Sequence, residues 1–146
     1  MSLIDFVFKL FPTKEFLLGK GKVIRCSLIE IKWLFSIYLH KIETIEQDRF
    51  HTHAFDALVF IIKGGYEDEI KMGIGPHKPV ILKKFKKGNV RWIPQSLNHR
   101  LKRAEPGTIS LLFTGRYSKI WTEETDEGIL RILTSGRNPL GEIKMN

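Results

Sequence analysis

Cysteine is almost absent from this chain of 146 residues: Cys26 stands alone. No disulfide within the chain and no cysteine-based zinc framework can therefore form, and a reducing compartment suits such a sequence. No apolar run reaches the roughly 20 residues that a membrane-spanning helix needs, so no membrane partner is expected. The opening MSLIDFVFKLFP carries Asp5 where a secretory signal wants basic residues, and no small-residue cleavage site follows. A cytoplasmic location is the expectation. Gly19-Lys20-Gly21-Lys22 lacks the spacing of a phosphate loop and reads as a turn. No G-x-S-x-G occurs and Cys26 has no histidine near it in sequence, which sets serine and cysteine hydrolases aside. No helix-turn-helix, internal repeat or linker is evident, so sequence-specific DNA reading is not expected and the chain reads as one domain.

Acidic residues are missing from one stretch altogether. The formal net charge is +8, and residues 70–104 carry it: Lys71, Lys78, Lys83, Lys84, Lys86, Lys87, Arg91, Arg100, Lys102 and Arg103, with no Asp or Glu. Such a run is either a solvated strand face or an anion site for a carboxylate, a phosphate or a nucleic-acid backbone. Its aromatic residues are only Phe85 and Trp92, too few for a single-strand stacking platform. The compensating acidic cluster Glu67-Asp68-Glu69 reads as a solvated turn, since neighbours on a strand point to opposite faces.

Hydrophobic residues make up 42% of the chain, enough to bury a core. Residues 2–11 predict a short helix, apolar on most sides and stopped by Pro12, which should be buried against its own domain or another subunit. Ile29, Ile31, Trp33, Phe35, Ile37 and Leu39 alternate with more polar residues up to His40, which predicts one long strand. Residues 57–62 (ALVFII) are apolar on both faces, as in a strand packed on both sides. Further strands are predicted at Tyr66–Met72, Val80–Phe85, Asn89–Ile93, His99–Arg103, Thr108–Thr114 and Ile129–Leu133, punctuated by Gly and Pro. Many short strands imply a sandwich or barrel.

Histidine supplies the clearest chemistry. His51 and His53 are one residue apart, so on extended chain both imidazoles leave the same face, and His99 follows the turn of Ile93-Pro94-Gln95-Ser96. Three neutral imidazoles suit a divalent metal and leave coordination positions for water or substrate. His40 ends the long strand beside Tyr38, where it is either a surface group or one that orients a ligand. His77, in GPHKP, reads as a loop residue and Tyr66 as a packing aromatic.

With these residues in view, the chain resembles the cupins. Their first motif, G-x5-H-x-H-x3–4-E-x6-G, is matched by His51-Thr52-His53 and Gly65, with Leu58 where the Glu belongs. Their second, G-x5-P-x-G-x2-H-x3-N, is matched by Gly88, Pro94 and His99, with Ser96 for the Gly and Arg103 for the Asn. Tyr38-Leu39-His40, Gly64-Gly65-Tyr66, His99-Arg100, the run LLFTG at 111–115 and Trp121 are similar to a subgroup of small uncharacterised cupins of phage and bacterial genomes. The likeness covers about residues 36–122.

The resemblance implies an all-β, single-domain double-stranded β-helix, or jelly-roll barrel, with a short N-terminal helix. On that reading residues 1–20 are helix and lead-in, 23–134 the barrel and 135–146 a C-terminal tail. It implies His51, His53 and His99 as ligands of a divalent metal (Fe, Zn, Ni or Mn), with the Glu ligand missing. Asp56 stands where the subgroup has an Asp and either supplies a carboxylate to the site or caps a turn, or pairs with Arg49 or Arg100. His40 is a second candidate for a fourth or orienting group. Arg91, Arg100 and Arg103 flank the third ligand and are candidate anchors for a small anion. Alternation from His99 puts Arg103 on its face, which makes Arg103 the leading anchor. Whether the protein is an enzyme is left open by the sequence. A dioxygenase-like or isomerase-like activity is one expectation. The other is a non-catalytic binding module, virion-associated or bound to nucleic acid through the basic stretch. A homodimer is the expected assembly.

Overall fold

The protein is described by a computed structural model covering residues 1–18, 21–45 and 49–146. The first two residues of the turn expected at 19–22 lie outside the described residues. Among the described residues one helix precedes twelve strands: α1 (Leu3–Leu10), β1 (Thr13–Leu18), β2 (Gly21–Ile31), β3 (Phe35–Thr44), β4 (Ala57–Lys63), β5 (Gly65–Lys71) and β6 (Val80–Lys86), then β7 (Val90–Ile93), β8 (Asn98–Ala104), β9 (Thr108–Thr114), β10 (Ile120–Glu124), β11 (Ile129–Thr134) and β12 (Pro139–Lys144). Strands β1, β10 and β12 and most of β2 were not expected; β1 occupies the lead-in and β12 the tail.

The strands form a six-stranded sheet in the order β1-β2-β3-β9-β4-β7 and two three-stranded sheets, β6-β5-β8 and β10-β11-β12. The pairings are antiparallel throughout. His51 bridges the two smaller sheets, pairing with His99 of β8 and with Glu123 of β10. The core lies inside the resulting barrel, where Val23, Tyr38, Ile42, Val59, Ile61, Tyr66, Ile93 and Leu112 are buried together.

Cross-strand register sorts each side chain. Tyr38 faces Leu112 and Leu112 faces Val59, all inward, while Ile37, Phe113 and Leu58 share the outer face. The long strand expected through Ile29–His40 is instead a hairpin. Residues 32–34 turn the chain, closed by the Leu34 N–H donating to the Ile31 carbonyl at 2.8 Å. Ile29 pairs with Ile37 and Ile31 with Phe35, so alternation continues in phase through the turn and hides it.

Helix α1 begins with a capping box: the Ser2 hydroxyl accepts from the Asp5 N–H at 3.1 Å, and the Asp5 carboxylate accepts from the Ser2 N–H. Contrary to the sequence expectation, none of its residues is buried. Ile4, Val7 and Phe8 pack on Cys26, Leu39 and Ile109 on the outer face of the large sheet. Leu3, Phe6 and Leu10 remain exposed. Strand β4 is likewise not packed on both sides, since Phe60 and Ile62 are open on its outer face. At the β4–β5 corner Gly64 has φ +70, and a Cβ there would collide with Thr108 Oγ1. That hydroxyl is already committed to both the Gly65 N–H and the Gly65 carbonyl at 3.0 Å.

Candidate metal centre

Residues 51–53 lie outside the named strands, yet neighbouring strands hold them extended. The His51 N–H donates to the His99 carbonyl at 2.9 Å and receives the reciprocal bond at 3.0 Å, and the Thr52 N–H donates to the Thr122 carbonyl at 2.9 Å. Two-residue alternation therefore survives, and His51 and His53 point into the barrel beside His99. The ring centroids of the three imidazoles are 5.0 Å apart in each pair. One ligand atom from each lies within 4.8 Å of the others.

Their partners decide which nitrogens are available. His99 Nδ1 is 2.8 Å from Asp68 Oδ1, and a carboxylate only accepts, so the proton sits on Nδ1 and the Nε2 lone pair is left. His51 Nδ1 is 2.9 Å from the Arg49 carbonyl, with the same consequence. His53 Nε2 meets His99 Nε2 at 2.8 Å, so in the metal-free protein His53 donates the one proton between them. A metal ion would replace that proton. Burial, reinforced by the neighbouring His51 and His99, holds the His53 imidazole well below its ordinary pKa and hence neutral. Neutral imidazoles on one focus are the donor set of zinc, iron, nickel or manganese sites, so the residues present fit such an ion.

Asp68 was not found by the sequence reading. Glu67 and Glu69 face outward, where they pair with Lys84 and Arg100. Asp68 between them is fully buried, with Arg91 Nη2 donating to Oδ2 at 2.7 Å. The signal was present as alternation: Tyr66 and Asp68 share the inner face of β5. This arrangement, arginine to carboxylate to imidazole, fixes the tautomer and orientation of His99.

The expected anchoring arginines are placed otherwise. Arg91 is buried behind His99, committed to Asp68 and stacked over Phe85 at 4.4 Å. Arg100 donates to Glu69 at 2.6 Å and covers Phe50, at a separate cavity. Arg103 is exposed. A register shift pairs Glu67 with Arg103 but Asp68 with Leu101, so Lys102 is an extra residue and Leu101, not Arg103, follows His99 into the barrel. Asp56 is also exposed, and its Oδ1 accepts from the Gln95 N–H at 2.6 Å, which makes it a loop tie.

Beside the imidazoles opens a cavity of about 200 Å³, lined among others by His40, Arg25, Tyr38, Phe55, Trp121 and Arg137. His40 thus belongs to the site's surroundings. Burial, with the Arg25 charge adding to it, drives its pKa down to about 3. The Tyr38 and Tyr117 hydroxyls are bonded at 3.0 Å, and burial and that bond push Tyr117 above its usual range.

No protein-family model matches the sequence, and no curated protein matches it. Solved structures do. Oxalate decarboxylase from Bacillus subtilis superposes over 77% of this chain with a TM-score of 0.53 and 16% identity. This chain covers only 28% of that protein's length. An RmlC-like cupin from Shewanella frigidimarina matches over 73% of this chain and 85% of its own, with a TM-score of 0.55 and 10% identity. With its antiparallel barrel and three inward histidines, the chain has the cupin fold.

Proposed function

We propose that the protein is a divalent-metal cupin that binds, or acts on, a small anionic molecule at His51, His53 and His99. The convergence of three imidazoles, two with Nδ1 tied to an acceptor, is the observation that carries this reading. A bound ion would supply Lewis acidity or a redox centre with open coordination positions. The chain's own residues do the rest: Asp68 and the Arg49 carbonyl orient the ligands, and Phe55, Trp121 and Tyr117 wall the cavity. Elemental analysis of untagged wild-type and His51→Ala proteins tests it. Near-stoichiometric iron, zinc, nickel or manganese in the wild type, lost in the variant, supports the site. Equal metal in both, or none after reconstitution, refutes it.

A binding module working through the basic stretch has less support. Of its ten cations, Lys71, Lys84, Arg91, Arg100 and Lys102 are ion-paired with Glu124, Glu67, Asp68 or Glu69.

For assembly we propose a homodimer through the outer face of the large sheet. Ile29, Phe35, Phe60, Ile62, Val90, Trp92 and Phe113 are all exposed there, and Trp33 at the adjoining turn is 73% exposed. Aromatic and aliphatic side chains of this kind are what a homodimer interface buries. Among the described residues, no helix is long and apolar enough to cross a membrane. A reducing cytoplasm, bacterial or phage-infected, suits a chain whose one thiol is buried; phage origin and virion association rest on the sequence resemblance alone.

A further inference from the structure

Two buried nitrogens at the cavity beside the histidines lack a hydrogen-bond partner among the described residues. Arg25 of β2 stands opposite His40 of β3, and both side chains point into the barrel. The Arg25 guanidinium lies over the Tyr38 ring at 4.5 Å and the Phe16 ring at 4.8 Å. Among the described residues its ion-pair partner is Glu30, 3.7 Å from Nη2. Among the described residues, Arg25 Nε is sealed from solvent without a hydrogen-bond partner, and so is His40 Nε2. Each such orphan carries a cost that a bound hydrogen-bond partner would relieve.

A second guanidinium borders the same space. Arg137, in the β11–β12 turn, lies 5.6 Å from the Trp121 ring and 5.7 Å from Phe16. Its φ of +67° makes it the one non-glycine residue in the left-handed region among the described residues. Such a conformation is uphill for a residue with a Cβ, and it is often kept where a side chain must be aimed. Tyr38, Ile42, Phe55, Leu101 and Leu112 make the remaining wall apolar.

We propose that Arg25 anchors the carboxylate of a small organic acid whose apolar body fills this cavity, with its far end toward the three histidines. Arg137 closes over the entrance. The metal reading is needed only for what happens at that far end; the anchor stands on Arg25 itself. A guanidinium presents parallel N–H donors that match a planar carboxylate. A phosphate would bring a second charge and a third oxygen against walls that hold mostly carbon. The room is adequate, since a cavity of roughly 150 Å³ takes a benzene ring.

Benzoate is the probe, titrated into metal-free protein so that failure of the metal site leaves the result intact. Trp121 reports it, because the residue lines the site and its indole N–H is held by the Thr134 carbonyl at 2.7 Å. Benzoate should shift the Trp121 indole resonance, with affinity about 10- to 100-fold weaker in Arg25→Gln, the loss expected when a charge-assisted bond goes. Arg25→Lys, which keeps the charge and loses the fork, should also weaken binding, and it carries the test if Arg25→Gln does not fold. Benzyl alcohol, of the same shape without charge, should bind at least about tenfold more weakly than benzoate. Benzoate affinity unchanged in the arginine variants, benzyl alcohol binding equally well, or inorganic phosphate binding more tightly than benzoate would overturn the proposal.

Discussion

Asp68 Oδ1 lies 2.8 Å from His99 Nδ1, and both residues are buried. That bond determines which nitrogen of His99 can meet a metal, and Arg91 donates to the other carboxylate oxygen at 2.7 Å. Asp68→Asn should lower metal affinity about 10- to 100-fold, as loss of a supporting carboxylate typically does. It should also destabilise the fold, because the Arg91 charge is left buried and unpaired. Competition against a chromogenic chelator, with the folded fraction followed by circular dichroism, separates the two effects. Unchanged affinity in folded Asp68→Asn protein would show that His99 does not need this partner.

His40 gives a pH dependence. Its pKa falls from 6.5 in the unfolded chain to about 3 in the fold, so the unfolded state binds the extra proton across that window. Stability linked to His40 is complete above about pH 6.5 and drains away as pH falls toward 3. Between pH 6.5 and 5, before carboxylates titrate, the unfolding midpoint of metal-free protein should drop. The slope should be shallower in His40→Gln, measured by thermal melts at constant ionic strength. Parallel slopes in the two proteins would assign the effect elsewhere.

Gly64 tests the corner that joins β4 to β5. An alanine there meets both a positive φ and the Thr108 hydroxyl. Gly64→Ala should destabilise by about 1–3 kcal/mol in urea titration, with the denaturant slope unchanged. Gly88→Ala, where a Cβ meets no atom within 4 Å and only the positive φ opposes it, should lose less.

The outer face of the large sheet tests the assembly. Light scattering should give twice the 17.0 kDa chain mass for the wild type and the single mass for Phe113→Glu/Trp92→Glu. A glutamate at the centre of an apolar interface buries an unpaired charge, whereas on a free surface it costs nothing. A wild type that is monomeric at all concentrations would remove the dimer.

Much of this architecture was legible in the residues. Thr108–Thr114 was bounded correctly because a glycine turn precedes it and Gly115 follows. The histidines were legible because one-residue spacing keeps two imidazoles on one face even where no regular strand forms. The hairpin at residues 32–34 was not, since apolar alternation crosses it without a change of phase. Arg103 was misplaced for a related reason: a one-residue bulge at Lys102 inverts the alternation, and nothing in the composition announces a bulge. Asp68 was hidden inside an acidic triplet that looks solvated, and only its partners Arg91 and His99, distant in sequence, make its burial tolerable. Arg25 lay outside the basic stretch that drew attention, so charge counting pointed away from the cavity that holds it.

The central claim is that the Nε2 atoms of His51, His53 and His99 share one ion. Titrating zinc, a diamagnetic probe, into 15N-labelled metal-free protein and recording the imidazole nitrogens tests it directly. The expected result is that the three Nε2 resonances move together and saturate at about one equivalent, while Nδ1 of His51 and His99 keeps its proton and His77 is unaffected. Movement of His77 alone, or no movement of the three up to several equivalents, would contradict it.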